Sequence, residues 1–178
     1  MPRHFLVVAA LLVAPAGCSS DPGHAHLVDS LGGEAPGVPK GPLHRPGQPC
    51  GVCHGTLGPA NSEFVFAGTI YQDPMSGKPL PDARIQLVDS KGTSFDAGAN
   101  CAGNFFVRNT DYRPAFPVWV NVFYGLAGGM PYPATMTSGI YREASCASCH
   151  TDNAGTESAG PVFLASSPIP IPPSPSCQ

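Results

Sequence analysis

Val118-Trp119-Val120-Asn121-Val122-Phe123-Tyr124 is the stretch that decides the fold. Valine at every second position gives one apolar face, and the β-branched and aromatic residues suit a pleated strand better than a helix. Working outward, 64–71 (Phe64-Val65-Phe66-Ala67-Gly68-Thr69-Ile70-Tyr71) has the same character. So do 83–88, with Ile85 and Leu87 on one face, and 104–107. Between them, Asp73-Pro74-Met75-Ser76-Gly77-Lys78-Pro79 is a turn cluster. Short strands separated by regular turn signals predict a mainly β chain, an antiparallel sandwich and not a helical bundle.

This β region is bracketed by one pattern that occurs twice: Cys50-Gly51-Val52-Cys53-His54 and Cys146-Ala147-Ser148-Cys149-His150. Two thiols three positions apart fit a single helical turn, so both sulfurs face the same side, and a histidine follows at once. With 7 Cys and 6 His in 178 residues, roughly 0.01 chance matches are expected. C-x-x-C-H is the attachment signature of c-type haem, with the cysteines as thioether points and the histidine as proximal iron ligand. The expectation is therefore two covalently attached haem c groups, on Cys50, Cys53 and His54 and on Cys146, Cys149 and His150, each in a short helical turn. Two other uses of the thiols compete with it: disulfides, and one zinc held by four cysteines. Neither needs the histidine that both copies carry.

Sixth iron ligands are less well marked. His44, in Leu43-His44-Arg45-Pro46-Gly47, lies close enough before Cys50 to reach the face opposite His54. Met136, ten residues before Cys146, is the better placed thioether for the second site, ahead of Met130 and Met75. Each of these methionines also suits simple packing. Ile140 to Ser145 is expected to form a short helix leading into the second motif.

The N-terminus supplies the compartment. Residues 1–17 combine a short basic start (Arg3, His4), an apolar run too short to span a bilayer, and small residues before Cys18. This resembles the bacterial lipobox, which implies acylation of Cys18, a lipid anchor and, with Ser19 following, the outer membrane of a Gram-negative envelope. Outside the cytoplasm thiols end oxidised, metal-bound or modified. With Cys18 assigned to lipid and four cysteines to haem, Cys101 and Cys177 are left as candidates for one disulfide. Without haem, six cysteines remain with many pairings open.

Composition sets the remaining bounds. The 22 Pro and 21 Gly exceed ordinary usage of about 5% and 7% and concentrate towards the ends. This reads as a flexible tether over 18–49, a domain over 50–164 and a disordered Pro-rich tail over 165–178. A formal charge of −3 with 12% charged residues offers no basic patch for nucleic acid. Gly-x-Ser-x-Gly, His-Glu-x-x-His and Walker-type loops are absent from the sequence. Asp82, Asp89, Asp96 and Asp111 fall at turns, where carboxylates cap backbone groups.

Three segments together resemble the carboxypeptidase regulatory-like domain: Phe66-Ala67-Gly68-Thr69-Ile70-Tyr71, Gly77-Lys78-Pro79-Leu80-Pro81-Asp82-Ala83-Arg84-Ile85, and Cys101-Ala102-Gly103-Asn104-Phe105-Phe106-Val107. The resemblance covers about 64–124. It implies a seven-stranded Greek-key, transthyretin-like sandwich that serves as an accessory or binding module. The functional expectation is an envelope-anchored dihaem c-type cytochrome domain that carries electrons to redox protein partners and is not an enzyme. Its rival is a non-catalytic, disulfide-stapled surface or periplasmic binding module on the same fold.

Overall fold

The computed structural model describes residues 21–125, 132–142, 145–151, 154–166, 168 and 170–177. Residues 1–20, including Cys18, and Met130 lie outside the described residues. Helices α1 (Pro22–Ser30) and α2 (Cys50–His54) precede six strands: β1 (Phe64–Thr69), β2 (Arg84–Asp89), β3 (Ser94–Gly98), β4 (Asn104–Arg108), β5 (Val118–Tyr124) and β6 (Tyr132–Thr135). They form two antiparallel sheets, one of β1 and β4, the other in the order β3-β2-β5-β6.

The alternation in the sequence sets the packing. Val118, Val120 and Val122 are buried, as are Ile85 and Leu87 on the neighbouring strand. They share one core with Phe66 of β1 and with Phe105 and Val107 of β4. Two strands face four, so the narrow sheet leaves part of the wider one uncovered. There the inner side of β5 and the residues around β6 border a cavity of about 260 Å³, lined by Val120, Val122, Ala134 and Met136 from that side.

The edge of β1 is not bare. Ala67 pairs in parallel with Ser145, and Tyr71 with Phe163, so segments from the C-terminal third lie beside the small sheet. At Ile140 the expected helix is not formed. Its N–H and C=O exchange hydrogen bonds with Val118 at 2.8 Å each, because a β-branched residue beside an open strand edge gains ladder bonds there.

The N-terminal stretch read as a tether is folded onto the domain from Asp21 onward. Asp21 caps α1 by accepting from Gly23 N and His24 N, with Pro22 in the first turn. Further along, Asn104 Nδ2 donates to the His44 carbonyl at 2.9 Å and Gly47 N donates to Thr69 Oγ1 at 2.8 Å. Thr69 and Asn104 are themselves a buried cross-strand pair, joined at 2.7 Å. The Pro-rich end is docked too, with Ile171 packed against the core and Ser174 buried.

Candidate functional site

Both motifs sit against β1 and form the local structure their spacing dictates. Cys50 to His54 is one helical turn, opened by Val52 N donating to the Pro49 carbonyl at 2.9 Å. Cys146 to Ser148 is a 3-10 turn, closed by His150 N donating to the Cys146 carbonyl at 2.8 Å. All four thiols are free; Cys149 is exposed and the other three are half-buried.

A second layer of bonds repeats at the two copies. The carbonyl of the second cysteine accepts a later N–H: Ala60 N to Cys53 at 3.0 Å, and Ala159 N to Cys149 at 2.9 Å. The loop then returns past the histidine. His54 Nδ1 lies 2.8 Å from the Ser62 carbonyl, and His150 Nδ1 lies 2.9 Å from the Gly160 carbonyl. A carbonyl only accepts, so Nδ1 is the donor in both rings, which leaves Nε2 outside the latch. Neither Nε2 has a hydrogen-bond partner among the described residues. The loop needs glycine for close approach: a Cβ on Gly58 would lie 2.1 Å from the Cys53 oxygen. At the second copy, Gly160 adopts φ 78°.

The surroundings differ. His54 stacks on Phe64 at 4.1 Å and 10°, and Phe64 stacks on Phe106 at 5.0 Å. The His44 ring stands 6.0 Å from His54, turned by 86°. His44 Nδ1 meets Glu34 Oε1 at 3.2 Å, and Arg45 Nε holds the same oxygen at 3.1 Å. Burial by itself would raise the Glu34 pKa, but hydrogen bonds from Arg45 and His44, and their charges, bring it below its ordinary 4.5. At the second copy, Cys146, Cys149, His150 and Met136 all line the apolar cavity. Among the described residues, no aromatic ring faces His150 as His44 faces His54.

The two copies, far apart in the chain, bring their first cysteines near enough to feel each other's charge. Burial pushes the Cys146 thiol up to about 12, and the charge of Cys50 adds to the effect. Burial likewise raises Cys50. Thiols used as nucleophiles have lowered pKa values, so these two are built as neutral, apolar-facing groups. Among the described residues no group of three or more His, Cys, Asp or Glu side chains is arranged to cage a metal ion; a four-cysteine zinc clasp is not formed. Away from both motifs, Cys101 and Cys177 are joined by a disulfide with Cα atoms 5.4 Å apart.

These residues fit covalently held haem. Each copy presents two free thiols on one turn and a histidine whose Nδ1 is fixed and whose Nε2 is open, the arrangement that orients a metal-bound imidazole. The cavity at the second copy is smaller than the ~300–1,000 Å³ of pockets that enclose a whole ligand. It would take one face or edge of a macrocycle, which the two thiols would then have to hold. Sequence reading missed Ser62 and Gly160, which act through backbone carbonyls, and Glu34, whose partners are ten and eleven residues away. No family model, no curated protein and no solved structure matches the chain.

Proposed function

We propose that this chain is a dihaem c-type cytochrome domain that carries electrons at the bacterial cell envelope. The observation that carries the reading is the repeated latch. Two motifs with loops of different length both return a backbone carbonyl to Nδ1 of the histidine and leave Nε2 without a partner among the described residues. A disulfide-stapled module has no use for that arrangement, and the free motif thiols also weigh against it.

In this reading Cys50 and Cys53 hold one haem and Cys146 and Cys149 the other, with His54 and His150 as proximal ligands. Bound haem supplies a one-electron ferric–ferrous couple. The protein orients each imidazole, shields one side with apolar groups and keeps the two sites adjacent across β1. Met136, on the cavity wall shared with His150, is the candidate sixth ligand of the second site. The scaffold is a carboxypeptidase regulatory-like, Greek-key sandwich, and the pairings of Ser145 and Phe163 beside β1 support additional strand-like edges. Acylation of Cys18 tethers the domain to the outer membrane, facing the periplasm or the cell surface, where redox proteins are its partners. No catalytic role is assigned.

The test is expression in a host with c-type maturation. The expected product is coloured, retains haem stain through denaturing electrophoresis and carries the mass of two haems. A colourless chain of unmodified mass from that host would sink the proposal.

A further inference from the structure

Resting on the haem reading above, we propose that His44 is the second axial ligand of the first site, that Glu34 positions it, and that the two sites are therefore unlike. Two imidazoles bound on opposite sides of one metal through bonds of about 2 Å each have ring centres roughly 6 Å apart. The His44 and His54 centres are 6.0 Å apart, with ring planes at 86°.

Both rings are held from behind. His54 Nδ1 is fixed on the Ser62 carbonyl at 2.8 Å and His44 Nδ1 on Glu34 Oε1 at 3.2 Å. An ionised carboxylate only accepts, so the His44 proton sits on Nδ1, and Nε2 has no hydrogen-bond partner among the described residues. Glu34 is anchored in turn by Arg45, whose guanidinium also donates to the carbonyls of Leu31 and Gly32 and to Gln48 Oε1. The His44 backbone is tied to β4 through Asn104. A Gly- and Pro-rich surface segment needs no such knot to stay docked. The knot's effect is to fix the direction of one imidazole.

A carboxylate on Nδ1–H raises the basicity of a metal-bound imidazole, which favours the ferric state. The second site has no facing imidazole among the described residues, and the donor on its cavity wall is the Met136 thioether, which favours the ferrous state. The first site is thus the lower-potential one, so an electron received from a redox protein partner rests preferentially on the second.

The experiment uses full-length matured protein, comparing wild type with His44→Ala, His44→Met and Glu34→Gln by electron paramagnetic resonance, carbon monoxide titration and redox titration. Near-perpendicular imidazoles predict a strongly anisotropic low-spin ferric signal in the wild type. His44→Ala should keep two covalent haems, lose that signal and bind one additional carbon monoxide per chain when reduced; added imidazole should restore the low-spin state. His44→Met should raise the first-site potential, as should Glu34→Gln with the low-spin signal retained. A His44→Ala protein with two haems and an unchanged low-spin signal overturns the inference and leaves the haem reading intact. If His44→Ala does not fold, an unshifted first-site potential in His44→Met overturns it equally. A wild type without covalent haem overturns both.

Discussion

Gly68, in the middle of β1, lies so close to Cys146 that a Cβ built on it would sit 2.7 Å from both Cβ and Sγ of the cysteine. The glycine is what lets the second motif settle on the sheet. Gly68→Ala should destabilise the domain by about 1–3 kcal/mol through overpacking. It should also lower haem content from two per chain towards one, because Cys146 is displaced while Cys50 and Cys53 are untouched. Pyridine haemochrome quantification against protein mass reads the ratio; a mutant that keeps two haems and full stability would show that the gap is not needed.

Met136→Leu conserves volume and should cost less than about 1.5 kcal/mol. If the thioether ligates at the second site, the methionine-to-iron charge-transfer absorption of the oxidised protein disappears in this variant and the first-site signal stays. A spectrum identical to wild type would return Met136 to a packing role.

Asp89 is buried and its carboxylate accepts from Lys91 N, Thr93 N and Ala115 N at 2.8–3.1 Å. The Ala115 bond, more than offsetting burial, leads in holding its pKa below the ordinary 3.8. A depressed pKa means that the unfolded chain takes up the proton more readily. The stabilisation is therefore complete above pH 3.8 and is lost as pH falls through the folded value. Asp73, held down first by the Ser76 side chain and then, against burial, by Ser76 N and Met75 N, behaves alike. Asp89→Asn should unfold at lower urea at neutral pH and lose less of its remaining stability on acidification than the wild type. Parallel acid-unfolding curves would contradict this.

The disulfide closes a loop across 76 positions. In the chain-entropy account a loop of that length is worth about 4.5 kcal/mol, against about 2–4 kcal/mol typically observed for disulfides. Cys177→Ser should lower the urea midpoint accordingly and expose the C-terminal segment to protease, since only the Ile171 packing and the Ser174 and Ser176 bonds to Asp82 would then hold it. Equal proteolysis of both proteins would show that the serines suffice.

Where residues alternate cleanly, the fold was legible: β1, β2, β4 and β5 lie where their branched and aromatic residues place them. β3 escaped notice because Ser94, Asp96 and Gly98 face solvent, leaving only Phe95 and Ala97 partly buried. β6 contains Pro133, a breaker tolerated there because the strand lies at the sheet edge. Among the turn aspartates, Asp96 instead sits in β3 and pairs with Arg84 at 3.2 Å. The Asp21-Pro22 start of α1 was a readable helix signal, outweighed by the Gly and Pro around it. At the site, cysteines and histidines announced themselves through spacing. Their backbone latches did not, since any residue has a carbonyl, and Glu34 reaches His44 only through a loop whose path no periodicity encodes.

The turn from Asn100 to Gly103 gives the molecule a particular response to force. Asn100 Nδ2 holds the Pro42 carbonyl at 2.6 Å, Cys101 holds Cys177, and Gly103 O accepts from Ile70 N at 2.9 Å. A pull on the chain ahead of α1 is resisted first by His24 on the Val52 carbonyl, then by the Arg45 bonds to Leu31, Gly32 and Glu34, and last by the Asn100 and Asn104 side chains on Pro42 and His44. These bonds peel away singly, whereas the β1–β4 ladder would have to be sheared as a block. Tension at that end therefore draws His44 off His54 while both sheets stay whole, so the first site yields to mechanical load before the fold does.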